Sequence, residues 1–206
     1  MVKIKICGMR RAEDIQYVNR NRPDYAGFIL SEGFKRTVDR KTFPALRQQL
    51  DKEIKAVGVF VNEPLENVIS FGKSLDVIQL HGDENEDYIK SLRNSFHGEI
   101  WKAVRAKTAG DIEKAGALSC DKLLIDSYVK GKVGGTGQAA DLSIINSANF
   151  SKDFFLAGGL DSGNVLSAIE KVNPFGVDFS SSVETDGYKD ENKIKDIISI
   201  IKNGGK

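Results

Sequence analysis

Lys3-Ile4-Lys5-Ile6-Cys7-Gly8-Met9 opens the chain's first structural unit. Its strict alternation puts Ile4 and Ile6 on one face of a strand and Lys3, Lys5 and Cys7 on the other. Gly8 begins a turn, and the pattern from Ala12 to Tyr17 is helical, so Cys7 is predicted at the carboxyl end of a strand. Parallel α/β folds place their chemistry at such ends. A thiol there is a candidate base or nucleophile; the alternative is a buried, inert cysteine, a common fate of free thiols. Lys5 lies two residues below Cys7, about 6–7 Å along the strand. Its charge is expected to lower the thiol pKa toward the reactive thiolate. An inward Asp178 on the last strand is the competing partner for Lys5 if the sheet closes.

Working outward, the chain alternates short apolar or β-branched runs with amphipathic stretches, the signature of repeated βα units. Strands are predicted at Lys3 to Cys7, Tyr25 to Leu30, Lys55 to Phe60, Asp76 to Leu80, Glu99 to Val104, Lys122 to Asp126, Asp153 to Ala157 and Phe175 to Phe179. Helices are predicted near Arg11 to Asn21, Asp39 to Leu50, Pro64 to Lys73, Asn85 to Asn94, Thr108 to Ala115, Leu142 to Ala148, Ser162 to Val172 and Glu191 to Lys202. Pro64 reads as a helix start, and Asp39 and Asp161 read as N-caps. Eight such units close most economically as one (β/α)₈ barrel domain over residues 1–206, near the short end for that fold. An open doubly wound sheet would carry a glycine-rich first turn, and here that turn reads Cys-Gly-Met-Arg. The stretch Ser127 to Asp141, with Gly131, Gly134, Gly135 and Gly137, is the longest irregular one and a candidate lid.

The 206 residues carry 30 Lys and Arg against 29 Asp and Glu, for a formal charge of +1. That balance creates no global field for nucleic acid or a membrane surface, so an anionic ligand needs a local site. Two distant cysteines and the absence of an apolar opening run argue for a reducing, cytoplasmic setting without a disulfide framework. No stretch is long and apolar enough to span a bilayer. Two histidines and two cysteines without ligand spacing give no expectation of a metal. Oligomeric state is not legible, and monomer and homodimer both stand.

In a barrel the strands would present Cys7, the Ser31 to Arg36 loop, Asn62, His81, Arg105, Asp126, Gly158 with Gly159, and Asp178 with Ser180 to Ser182 at the catalytic face. The loops Ala-Gly-Gly-Leu-Asp-Ser and Asp-Phe-Ser-Ser-Ser-Val-Glu, after strands seven and eight, suit a phosphate. Paired glycines let backbone N–H groups approach an anion and serines add donors. Taken alone, Gly158 and Gly159 would read as a tight turn; two donor-rich loops on adjacent strands favour the phosphate. Arg36 is a candidate bidentate carboxylate clamp, with a solvated basic pair as the alternative. Asp126 ends the apolar Leu-Leu-Ile-Asp strand and is a candidate general acid. His81 is read as lining the site.

These motifs together resemble one family. Lys5-Ile6-Cys7-Gly8-Met9, Gly27-Phe28-Ile29, Lys35-Arg36, Val59-Phe60-Val61-Asn62, Gln79-Leu80-His81-Gly82, Leu124-Ile125-Asp126, Gly134-Gly135-Thr136-Gly137, Leu156-Ala157-Gly158-Gly159-Leu160 and Gly176-Val177-Asp178-Phe179-Ser180-Ser181 follow the order and spacing of phosphoribosylanthranilate isomerases, end to end. The resemblance implies a cofactor-free barrel that performs an Amadori rearrangement of a small phosphorylated substrate in tryptophan biosynthesis. It further implies Asp126 as general acid on the furanose oxygen, Cys7 as the base at ribose C2, and Arg36 as clamp of the anthranilate carboxylate. The loops around Gly135, Gly158, Gly159, Ser180 and Ser181 would hold the phosphate. Phe34 stands where the family usually has a small hydroxyl residue, and Gln138 to Asp141 replace a usual aromatic stretch. An indole-glycerol-phosphate synthase type of barrel would need a lysine and glutamates at strand ends, and a metal-dependent epimerase two histidines with two carboxylates; neither set is present. A non-catalytic phosphate sensor would need neither Cys7 nor Asp126.

Overall fold

The structure, a computed structural model, describes residues 1–126 and 142–204. The parallel strands β1 (Lys3–Cys7), β2 (Tyr25–Ile29), β3 (Lys55–Phe60), β4 (Val77–Leu80), β5 (Glu99–Val104), β6 (Lys122–Asp126), β7 (Phe154–Ala157) and β8 (Gly176–Phe179) pair in chain order and close into a barrel. Helices α1 (Ala12–Asn21), α2 (Phe43–Gln49), α3 (Leu65–Gly72), α4 (Glu86–Arg93), α5 (Ala109–Gly116), α6 (Leu142–Asn146), α7 (Val165–Val172) and α8 (Glu191–Gly204) surround it. The expected (β/α)₈ architecture is therefore the observed one.

The strands are buried on both faces, which is why they read as apolar runs. Outward-facing Ile4, Ile6, Phe28, Ile78, Leu80 and Ile125 join the core shared with Ile15 and Val18 of α1, Ile89 and Leu92 of α4, and Ile194, Ile197 and Ile201 of α8. Each such side chain contributes about 1.5–3 kcal/mol on burial. Inside the barrel Tyr25, Trp101 and Phe155 plug the amino-terminal half, with ring centroids 4.5–5.4 Å apart. Among the described residues the barrel's cavity lies beyond this plug, at the carboxyl-terminal mouth. Closure pairs β1 with β8 so that Lys5 faces Asp178 across the ladder.

Two helix starts differ from the sequence expectation. Asp39 and Asp161 do not cap helices directly; Thr42 and Asn164 hold the N-cap positions. The Asp39 carboxylate instead accepts from the amides of Lys41 and Thr42, both at 2.8 Å. Asp161 Oδ1 does the same for Gly163 and Asn164 at 2.8 and 3.1 Å. Short aspartate side chains capture nearby N–H groups in turns, and so delay the helix by one turn. The chain also builds a hairpin, β9 (Glu184–Thr185) with β10 (Tyr188–Lys189), that periodicity did not reveal. Its turn, Asp186-Gly187, has φ of 52° and 77°, as a type I′ turn requires. Among the described residues no helix is long and apolar enough to cross a membrane.

Candidate active site

At the carboxyl-terminal mouth lies a cavity of about 670 Å³. Of the residues expected at the site, Cys7, Arg36, His81, Asp126, Gly158, Gly159, Asp178, Ser180 and Ser181 all line it. Gly135 and the candidate lid lie outside the described residues. Asn62 does not reach the cavity; its backbone N–H donates to Glu84 and its amide to Asp83. The walls differ in chemistry. Ile29, Phe34, Val59 and Val61 make an apolar side on β2, β3 and the loops that follow them, whereas Gly158, Gly159 and Ser180 to Ser182 make a donor-rich side after β7 and β8. Gly158 and Gly159 adopt φ of 88° and 69°, which glycine allows without Cβ strain.

Cys7 is only 7% exposed and sits above the Lys5–Asp178 pair. Lys5 Nζ donates to both Asp178 oxygens at 3.0 Å, so the competing partner foreseen for Lys5 is realised. Burial pushes the Cys7 thiol up, and Lys5 opposes this without cancelling it. Lys5 thus lowers the thiol as expected, but desolvation of a thiolate outweighs one ammonium already committed to Asp178, and the net shift is upward. Backbone geometry fixes the thiol, because Gly8 and Met9 both donate to the Gly27 carbonyl at 2.9 Å and end the strand there.

His81 and Asp126 approach one another, Nε2 to Oδ2 at 3.9 Å, and both keep about a fifth of their side-chain surface exposed. Burial lowers the His81 ring to about 4 even though Asp126 favours its charge. The ring is therefore neutral near pH 7. Gln79 Nε2 lies 2.8 Å from His81 Nδ1. In this orientation of the Gln79 amide its nitrogen donates and Nδ1 accepts, which assigns the ring proton to Nε2, toward Asp126. Gln79 Oε1 is buried with no hydrogen-bond partner among the described residues. The loop carrying His81 is pinned from β5, where Lys102 Nζ donates to Gly82 O at 2.6 Å and Glu84 Oε2 at 3.1 Å.

Arg36 lines the cavity, yet its guanidinium is already gripped: Nε and Nη2 donate to the two Glu184 oxygens at 2.7 and 2.8 Å. Glu184 and Gln79 were not foreseen. A lone glutamine on the inward parity of Val77-Ile78-Gln79-Leu80 was the signal for the second. For Glu184 the only signal was the Asp-Gly turn that returns the chain over Ser180.

A carboxylate and a thiol stand on separate walls of one cavity, with a donor-rich loop pair between them around the barrel. The family model for N-(5'phosphoribosyl)anthranilate (PRA) isomerase matches residues 4–200. The chain belongs to the phosphoribosylanthranilate isomerase family. Its similarity to the N-(5'-phosphoribosyl)anthranilate isomerase of Clostridium acetobutylicum is 47% identity over 202 residues, 96% of this chain and 97% of that one. The crystal structure of phosphoribosyl anthranilate isomerase from Thermotoga maritima superposes with a TM-score of 0.85 at 31% identity, covering 98% of this chain and all of that one. A further isomerase structure, in complex with reduced 1-(o-carboxyphenylamino)-1-deoxyribulose 5-phosphate, gives a TM-score of 0.81 at 30% identity and covers 98% of this chain and 100% of its own. The isomerase described here accordingly rearranges N-(5'-phosphoribosyl)anthranilate in tryptophan biosynthesis.

Proposed function

We propose that the isomerase works by general acid and base catalysis with its own side chains, Asp126 as the acid and Cys7 as the base. An aldose-to-ketose rearrangement moves protons within one molecule and needs no external electron acceptor. Asp126 gives a proton to the furanose ring oxygen as the C1–O bond breaks and the aniline nitrogen forms a protonated imine. Cys7 reacts through its minor thiolate form, which the Lys5 charge beneath it favours against burial; the thiolate removes the proton from C2, and the electron pair neutralises the imine to an enolamine. Tautomerisation to the ketone moves the O2 proton to C1, and a proton passes from Cys7 back to Asp126 to complete the cycle. The observation that carries this reading is the placement of Cys7 on β1 and Asp126 on β6 at one cavity mouth. The sugar then spans the space between them.

In the same reading the phosphate sits against Gly158, Gly159, Ser180 and Ser181, opposite the apolar side that suits the aryl ring. Arg36 takes the anthranilate carboxylate. Binding energy from these two ends orients C2 against the thiolate. His81, with its proton on Nε2, steadies the Asp126 carboxylate, and Asp178 holds Lys5 beneath the thiol. The substrate is a small phosphorylated molecule, and the reducing cytoplasm keeps the two free thiols, Cys7 and Cys120, available as thiols.

The test follows the loss of anthranilate fluorescence from freshly generated substrate, with a metal chelator present. Cys7→Ala and Asp126→Asn should each lower kcat on the order of 10²-fold or more while still binding the reduced product analogue. Near wild-type turnover in either variant removes that residue from its role, and abolition by the chelator removes the claim of sufficiency.

A further inference from the structure

The hairpin that follows β8 carries a buried ion pair, Glu184 with Lys189. Glu184 is 7% exposed and Lys189 1% exposed on their side chains, and neither is a cavity-lining residue of the acid–base scheme. Glu184 grips the Nε–Nη2 edge of Arg36. It also accepts from Lys189 Nζ at 2.8 Å, and the same Nζ donates to the Ser180 carbonyl at 2.8 Å. Ser180 Oγ in turn donates to the Cys7 carbonyl at 3.3 Å. One buried carboxylate therefore links the carboxylate clamp, the phosphate loop and the backbone of the thiol. The hairpin that carries it is itself anchored, because Lys193 Nζ donates to Glu184 O at 2.7 Å.

The geometry at Arg36 is selective. A guanidinium offers five N–H donors over two usable edges. With the Nε–Nη2 edge taken by Glu184, the Nη1–Nη2 edge remains for a second carboxylate. The Arg36 stem passes over Gly8, where a Cβ would stand 2.7 Å from Arg36 Cδ. Burial works to raise Glu184, but the Arg36 and Lys189 hydrogen bonds outweigh it and hold the group at about 2, so it stays an anion at neutral pH.

We propose that Glu184, backed by Lys189, is a positioning residue for substrate recognition: it orients Arg36 so that its free edge meets the aryl carboxylate, and ties that clamp to the phosphate loop. This rests on the assignment of Arg36 as the clamp. Prepaid orientation of a charged fork raises both affinity and selectivity, because a long flexible arginine need not be ordered on binding. The opposite role, Glu184 as a competitor that the substrate must displace, predicts the opposite sign.

The experiment compares two ligands, the reduced product analogue and its phenylamino counterpart lacking the carboxylate, on wild type, Arg36→Met, Glu184→Gln and the double variant Glu184→Gln/Lys189→Met. Glu184→Gln should weaken the carboxylate-bearing ligand by roughly tenfold, the scale of one lost charge-assisted hydrogen bond, and leave the other within about twofold. It should also raise KM far more than it lowers kcat. The double variant also removes the Lys189 ammonium that Glu184→Gln alone would strand, and should show the same selectivity, which keeps the test readable where the single variant folds poorly. If Arg36→Met fails to separate the two ligands, the clamp assignment falls and this inference with it. If Arg36→Met separates them but the Glu184 variants weaken both ligands alike, neither ligand, or tighten the carboxylate-bearing one, the positioning role is overturned while the clamp stands.

Discussion

Lys5→Met is the sharpest perturbation of the pair beneath the thiol. Lys5 is fully buried and donates to both Asp178 oxygens at 3.0 Å. At that distance two unit charges interact by about 5–6 kcal/mol for an effective dielectric near 20. Desolvation offsets part of this in the intact pair, but removing one partner strands the other, at a cost of about 3–5 kcal/mol. Against a total stability of about 5–15 kcal/mol this is a large loss. It should lower the urea midpoint by roughly 2 M at a slope of about 2 kcal/mol/M. The pH dependence follows from Asp178. Burial already pushes its carboxyl up and Lys5 is the main opposition, so in the variant only the weaker pull of Lys189 opposes the upward push. The folded variant then binds more protons than the unfolded chain above the ordinary aspartate range, and its stability falls as pH rises. The gap to wild type should narrow as pH is lowered toward 5. Lys5→Met/Asp178→Asn should recover most of the loss at neutral pH. In a Cys120→Ala background, alkylation of Cys7 should shift to higher pH in Lys5→Met, since an opposing cation has gone. A single variant within about 1 kcal/mol of wild type at pH 7, with an unmoved alkylation profile, would refute the reasoning.

Two further outcomes test the site. The His81 ring is held at about 4 by burial, whereas an unfolded ring titrates near 6.5. The unfolded chain thus binds the extra proton between these values, and stability should fall by on the order of 3 kcal/mol as pH drops from about 6.5 to 4. NMR titration of the ring should show no protonation above pH 5, and His81→Gln should lose the matching slope in denaturation midpoints. Gly8→Ala forces a side chain into φ of 93° with its Cβ 2.7 Å from Arg36 Cδ. It should cost about 1–3 kcal/mol and raise KM through a displaced clamp, read by thermal melts and steady-state kinetics; an unchanged KM would separate Gly8 from Arg36.

The sequence by itself determined the architecture and the places where chemistry can stand. Apolar runs of four to six residues, each followed by a helical period, suffice for eight parallel strands, because side-chain alternation and short connections are local properties. The same locality put Cys7, His81, Asp126, Gly158 and Ser180 at strand ends, since a residue's parity and its place after an apolar run can be counted along the chain. Helix starts were displaced where Asp39 and Asp161 bind backbone amides in turns, a competition that spacing does not expose. Pairing and burial, by contrast, arise on closure of the barrel. Glu184 meets Arg36 from 148 positions away, and that distance leaves no trace in periodicity; for Lys5 and Asp178, 173 positions apart, strand parity offers the partner and closure of the barrel makes the contact. The direction of the Cys7 shift followed from how completely closure removes water from the thiol. Charges interact through space and lose hydration through packing, so their chemistry belongs to the closed barrel; the strands that carry them are written in the order of the residues.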